Sequence, residues 1–172
     1  SLLAKDDGAS WRWRSAFIDT YLERDIPELG PRVPALQMRR LWSMLAHGQG
    51  DQLNLARLAA ALGLTGKTVR HYLDILTELF MVRQLPPWSG NSKKRLVRSP
   101  KVYLRDSGLA HTLANVPDLE TLLGHPLCGH SWEGFVLEQI IAGAPPLASL
   151  GFYRTAAGAA LDLVVDSGGR RT

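Results

Sequence analysis

At 172 residues, 45% of them hydrophobic, the chain is long enough for one domain or two small ones and has the composition of an ordinary globular protein. No apolar run approaches the roughly 20 residues of a membrane span, no cationic-then-apolar leader opens the sequence, and the one cysteine, Cys128, excludes an internal disulfide, so a cytoplasmic protein is expected. The formal charge of +4 hides an asymmetry: residues 32–105 hold thirteen Lys or Arg against only Asp51, Asp74 and Glu78, while the remainder is net acidic. A basic segment of this kind is the electrostatic footprint of a polyanion site.

Residues 1–10 carry no anchoring pattern and are expected to fray. Residues 11–24 read as a helix with Trp13, Phe17, Tyr21 and Leu22 on one face. Pro27, Gly30 and Pro31 should end it, since the residue before a proline avoids the helical region. Aromatics on this opening helix imply packing against the next module or an upstream domain. Residues 34–47 read as a second helix with Leu36, Leu41, Met44 and Leu45 as core candidates, broken at 48–50.

Residues 54–82 give the strongest local signal. Asn54 caps a helix whose Leu55, Leu58, Ala59 and Leu62 share a face. Gly63 stops that helix, because the left-handed conformation of a helix end is cheap only for glycine. Leu64 drops into the angle and Thr65 caps the next helix. There Val69, Tyr72, Leu73, Leu76, Leu79 and Phe80 recur at helical spacing and should face the core. Lys67, Arg70, His71 and Asp74 fall on the other side, where a helix-turn-helix meets the major groove. Residues 83–88 read as a strand ended by Pro86 and Pro87, and 88–95 as a polar tip with Lys93, Lys94 and Arg95. Residues 101–105 return as the second strand of a wing. Lys67, Arg70, His71, Lys93, Lys94 and Arg95 are therefore the candidate nucleic-acid contacts, with double-stranded DNA as partner. Winged helices also serve as joints and protein-docking couplers, and basic residues also merely solvate a surface; those readings stay open beside the first.

After the wing, Asp106 can cap a short helix and residues 117–124 make a helix or turn. Residues 131–141 read as an amphipathic helix in which Trp132, Phe135, Val136 and Ile140 cluster and Glu133 and Glu138 flank them. Residues 151–155 and 160–165 read as a strand pair, marginal when set beside one helix alone. His125, Cys128 and His130 lie close in sequence but lack the second ligand pair of a zinc site. Cys128 has no nucleophile motif around it, and Ser89, Ser107 and Ser131 show no Gly-x-Ser-x-Gly elbow.

Taken in order, residues 13–27, 62–73, 85–89, 94–103, 106–109, 123–127, 132–136, 153–155 and 161–163 resemble the C-terminal region of a bacterial and archaeal family of AAA-type ATP-binding proteins, a region catalogued as a domain of unknown function. The resemblance covers nearly the whole chain. It implies an α+β fold: residues 1–30 as a helical linker from an upstream ATPase domain, 31–106 as a winged helix-turn-helix, and 107–172 as a truncated restriction-endonuclease-like α/β portion. The ATPase domain would be a partner in cis. ATP and Mg²⁺ would serve the full-length protein, and no cofactor this fragment, which has no Gly-x-x-x-x-Gly-Lys-Ser/Thr. In the PD-(D/E)XK nuclease fold a helix Glu, a strand Asp and a following (Asp/Glu)-x-Lys strand bind Mg²⁺. Glu133 and Asp162 match the first two positions and are the remnant catalytic and metal candidates. The third is absent, and Ala160 stands where family members commonly carry Glu. The function implied is the DNA-binding and regulatory portion of an ATPase, non-catalytic in this fragment. The alternatives are part of a metal-dependent nuclease or a protein-docking coupler. An unpaired strand edge at the hairpin invites pairing with a second copy, so a homo-oligomer is also expected.

Overall fold

The computed structural model describes residues 5–28, 33–88, 99–155, 158–168 and 170–171. Its first helix, α1 (Asp7–Thr20), starts earlier than the apolar pattern does. Asp6 Oδ1 accepts from the Ala9 backbone N–H at 2.6 Å and fixes the first turn. Ser10, expected to fray, is instead buried and accepts from Arg14 Nη1 at 2.7 Å. The helix also runs past its expected end. Tyr21–Asp25 form a π turn, with the Ile26 N–H bonded back to the Tyr21 carbonyl, and α2 (Ile26–Glu28) carries the chain through Pro27. The extra residue widens the ladder just where the proline ring would crowd a carbonyl and a donor is missing. Trp13, Phe17, Tyr21 and Trp42 make a run of ring contacts, with centroids 5.5, 5.4 and 5.9 Å apart, that joins this helix to the next.

That next helix, α3 (Ala35–His47), buries Met38, Leu41, Trp42, Leu45 and Ala46. Leu36, a core candidate by sequence, is 59% exposed. It precedes Leu41 by five residues, a rotation of about 140° around the helix, so both cannot face inward.

The helix-turn-helix forms as its caps dictate. Asn54 Oδ1 accepts from Arg57 N and ends the approach to α4 (Leu55–Leu62), Gly63 takes φ 65°, and Thr65 Oγ1 accepts from Thr68 N to start α5 (Gly66–Glu78). Val69, Leu73 and Leu76 are fully buried, each contributing about 1.5–3 kcal/mol of apolar burial. Phe80 does not join them. It adopts φ 60° after the helix ends, is 71% exposed, and lies under the Arg105 guanidinium at 5.5 Å.

The wing strands pair as expected: β1 (Val82–Leu85) runs antiparallel to β2 (Lys101–Leu104), with Val82 opposite Leu104 and Leu85 opposite Lys101. The basic tip at 89–98, with Lys93, Lys94 and Arg95, lies outside the described residues. On its other edge β2 meets residues 50–53, through Gly50 N to Val102 O at 2.8 Å, Val102 N to Asp51 O at 3.0 Å and Leu53 N to Pro100 O at 2.8 Å. The buried Gln49 side chain extends this pairing, accepting from Leu104 N at 2.7 Å and donating to Leu104 O at 3.2 Å.

Beyond the wing lie α6 (Ser107–Leu113), capped by Asp106, α7 (Leu119–Leu123), capped by Asp118, and α8 (Leu127–Ala142). Leu109, Ala110, Leu113 and Leu127 pack into the same core as α3 to α5, so the packing crosses residue 106 without a break. The expected face of α8 is corrected. Trp132, Phe135 and Ile140 are 67%, 44% and 48% exposed, whereas Leu127, Ser131, Gly134, Leu137 and Glu138 face inward. Close approach explains it: a Cβ on Gly134 would stand 2.5 Å from Gln49 Nε2, so the helix must be small at this position.

The strands β3 (Ser149–Arg154), β4 (Ala160–Ser167) and β5 (Arg170–Arg171) form one antiparallel sheet in that order. Residues 170–171 pair with the end of β4. Phe152 ties this sheet to the wing, donating to Pro86 O at 3.0 Å and accepting from Trp88 N at 2.6 Å. A small second core of Leu85, Tyr103, Leu137 and Phe152 seals the joint. Among the described residues no helix is long and apolar enough to cross a membrane.

Candidate nucleic-acid interface

The candidate contacts on α5 differ in freedom. Lys67 and His71 are exposed on the first turns of the helix, with Asp74 half-buried a turn further on. Arg70 is half-buried and donates Nη1 to Gln84 Oε1 at 3.1 Å, while Gln84 Nε2 donates to Thr77 Oγ1 at 3.0 Å. The wing strand thus orients Arg70 through a neutral partner, and among the described residues no ion pair forms on it. Arg70 also lines an open cleft with Arg57 and Arg154, two residues not among the sequence candidates. Arg154 had no local signal beyond its place in a strand; only the fold brings it here.

Other basic residues of the same segment are engaged inside the protein. Arg83 donates Nε and Nη2 to the two oxygens of Glu138, the latter at 2.9 Å, and Arg105 Nε donates to Glu138 Oε2 at 3.0 Å. The Glu138 side chain is only 11% exposed. Burial pushes its carboxyl up, but the two guanidiniums more than offset that and hold it below the usual carboxylate range. One acidic residue of α8 therefore fastens both strands at the base of the wing. Arg39 of α3 pairs with Asp19 of α1.

Lys101 is the third cation taken inward, and it bears on the remnant metal candidates. Its Nζ donates to Glu133 Oε1 at 2.9 Å and to Asp162 Oδ1 at 2.7 Å, and the Tyr103 hydroxyl donates to the same Glu133 oxygen. Glu133 and Asp162, 29 positions apart in sequence, are thus brought to one place. Burial alone lowers the Lys101 pKa, yet the two carboxylates outweigh it and the net shift is upward, so the ammonium stays charged. Burial, then the bond to Glu133, pushes the Tyr103 phenol far up and keeps it a donor. The Lys101 ammonium already sits on both carboxylates, so a divalent ion would have to displace it or share the site with it. Among the described residues no group of three His, Cys, Asp or Glu is placed to hold a metal. His125 Nδ1 instead accepts from Leu127 N at 3.1 Å within a turn, and Cys128 is a free, half-buried thiol.

Residues 1–120 match the sequence model of a family described as a domain of unknown function, DUF8612. Uncharacterized protein Mb2031c of Mycobacterium bovis and uncharacterized protein Rv2008c of Mycobacterium tuberculosis are each 48% identical over 170 residues, 99% of this chain. The chain spans 38% of the length of these curated relatives. Among solved structures, MepR, a transcription regulator of the Staphylococcus aureus multidrug efflux pump MepA, overlaps 77% of this chain and 94% of its own, with 16% identity and a TM-score of 0.36. The transcriptional regulator PA3341 overlaps 79% and 96%, with 21% identity and a TM-score of 0.32. The likeness to both is slight, and the winged-helix arrangement rests on the caps, pairings and burial given above. With the match over residues 1–120, the chain belongs to the DUF8612 family.

Proposed function

We propose that the chain is a double-stranded-DNA-binding winged helix-turn-helix that serves as the regulatory region of a longer ATP-binding protein. The observation that carries this reading is the split between the two faces of α5. Val69, Tyr72 and Leu73 anchor one side in the core, while Lys67 and His71 stand in solvent on the other. A helix held from behind presents its N-terminal cations as a rigid set, as a major-groove reader requires. Lys93, Lys94 and Arg95, read from sequence alone as a basic tip between the two wing strands, would add phosphate contacts. The longer protein is supported by the order of motifs resembling AAA-type C-terminal regions, and by curated relatives of which this chain is 38%. ATP binding would then belong to the remaining length of such a protein.

Fluorescence anisotropy with labelled duplexes of unrelated sequence tests the reading. Binding at low salt is expected, and Lys67→Glu or a Lys93→Glu/Lys94→Glu pair should weaken it equally on every sequence, as phosphate contacts do. No binding at low salt removes the DNA reading. It would favour protein docking, for which one observation speaks: Trp132 and Phe135 stack at 5.8 Å on the exposed face of α8.

A further inference from the structure

Beside the recognition helix a cleft of about 820 Å³ opens toward solvent. Arginines from three elements converge on it: Arg57 from α4, Arg70 from α5 and Arg154 from the end of β3. The segment 51–55 forms one wall, and Ser99 and Pro100 form another. The acidic side chain on the wall is Asp51, which approaches Arg57 only to 3.8 Å with both side chains more than half exposed. Such a pair contributes little in water, so the cleft keeps a positive excess. Arg70 is oriented by the neutral Gln84, and Arg154 is exposed. Two residues before Arg154, Phe152 is bonded to the wing through Pro86 O at 3.0 Å, which fixes the strand against the helix-turn-helix. Guanidiniums in a concave opening focus potential, and their planar forks match phosphate oxygens.

We propose that this cleft seats the sugar–phosphate backbone of the duplex that α5 engages, with Arg154 carrying the interface from the helix-turn-helix onto the strand sheet. The proposal rests on the DNA-binding reading and adds to it a contact from outside the winged helix. A recognition helix alone touches the groove it enters; a backbone held between α4, α5 and β3 also fixes the angle at which the duplex crosses the protein. Phosphate contacts position and do not read sequence, so the loss should be the same on every duplex.

Anisotropy titrations of the full chain across a salt series test it. Arg154→Ala should weaken duplex binding about eightfold at roughly 0.1 M salt and make the log–log salt slope shallower by about 0.9, the value for one released counterion. Arg154→Lys should keep most of both. Because Arg154 is exposed, neither change should alter the melting temperature. Unchanged affinity and slope in Arg154→Ala, while Lys67→Glu abolishes binding, overturns the cleft assignment and leaves the DNA reading standing. Absence of binding by the unaltered chain overturns both. A final arm uses inorganic pyrophosphate: if it stabilises the protein in an Arg154-dependent way while duplex binding ignores Arg154→Ala, the cleft takes free phosphate groups and the backbone assignment is wrong.

Discussion

The first turns of α5 and the base of the wing carry the same residue types and use them in opposite ways. Lys67 and His71 stand in solvent above a buried apolar stripe. Arg83, Arg105 and Lys101, further along the same basic segment, turn inward onto Glu138, Glu133 and Asp162. The first group stays hydrated, and the second ties α8 and the strand sheet to the wing. A count of basic residues treats them alike, so the footprint read from sequence is larger than the surface that remains. What separates the groups is burial: a charge taken out of water must be paired, whereas one left in water can wait for a ligand.

Breaking the inward group should have the largest effect. Glu138→Ala strands two guanidiniums, 21% and 32% exposed, beside each other without their shared carboxylate, and unfolding by urea should show a loss of about 3 kcal/mol, the low end for a broken buried pair. A loss under about 1 kcal/mol, the worth of a surface pair, would place Glu138 among ordinary exposed acids.

Gly134→Ala comes next. The new Cβ would meet Gln49 Nε2 at 2.5 Å, so Gln49 must give up its two bonds to Leu104 or α8 must move. A cost of about 1–3 kcal/mol is expected, and Gly134→Ala combined with Gln49→Ala should recover part of it. If the double variant is the sum of the singles, the contact is not what limits the approach.

Lys101→Met should cost less, about 1–2 kcal/mol, because Asp162 is 62% exposed and Glu133 26%, and both can recover water. The unaltered protein should gain no thermal stability from MgCl₂ or MnCl₂ and should leave plasmid DNA intact. Cleavage abolished by Asp162→Ala would show that the carboxylates hold a metal in spite of Lys101.

The mildest effect is that of pH. Burial, with the Arg14 charge, lowers the His111 pKa from its usual 6.5, and its Nε2 lies 2.6 Å from Ser131 Oγ between α6 and α8. The folded state therefore binds this proton less readily than the unfolded one. Stability should be full above pH 6.5 and decline as pH falls below it, until the folded group also protonates. Glu138 adds a second decline below its usual 4.5, for its folded pKa is also lowered and its ion pairs are lost on protonation. His111→Gln should flatten the first decline and leave the second.

The helix-turn-helix is legible because its instructions are local. Asn54, Gly63 and Thr65 each act within a few residues, and helical spacing marks Val69, Tyr72, Leu73 and Leu76 as the core face. The inward charges are not legible, since Glu138 lies 55 positions from Arg83 and 33 from Arg105. The face of α8 misleads for another reason. Trp132 and Phe135 dominate any hydrophobic pattern, yet the contact is made where Ser131 and Gly134 permit close approach. Small residues spaced three apart were the signal that could have found it. Residues 48–50 read as a helix breaker, which they are, but their second role as a strand-like partner of β2 depends on Val102 and Leu104, far along the chain.

The division of charges is tested most directly by the salt dependence of duplex binding. With roughly five phosphates neutralised by the solvent-facing cations, log affinity should fall against log salt with a slope of about −4 to −5. Lys67→Glu should make that slope shallower. Conservative Arg83→Gln should lower stability yet leave the slope of the folded protein unchanged. A slope near zero, or one that responds to Arg83 as strongly as to Lys67, would contradict the assignment of these charges to separate tasks.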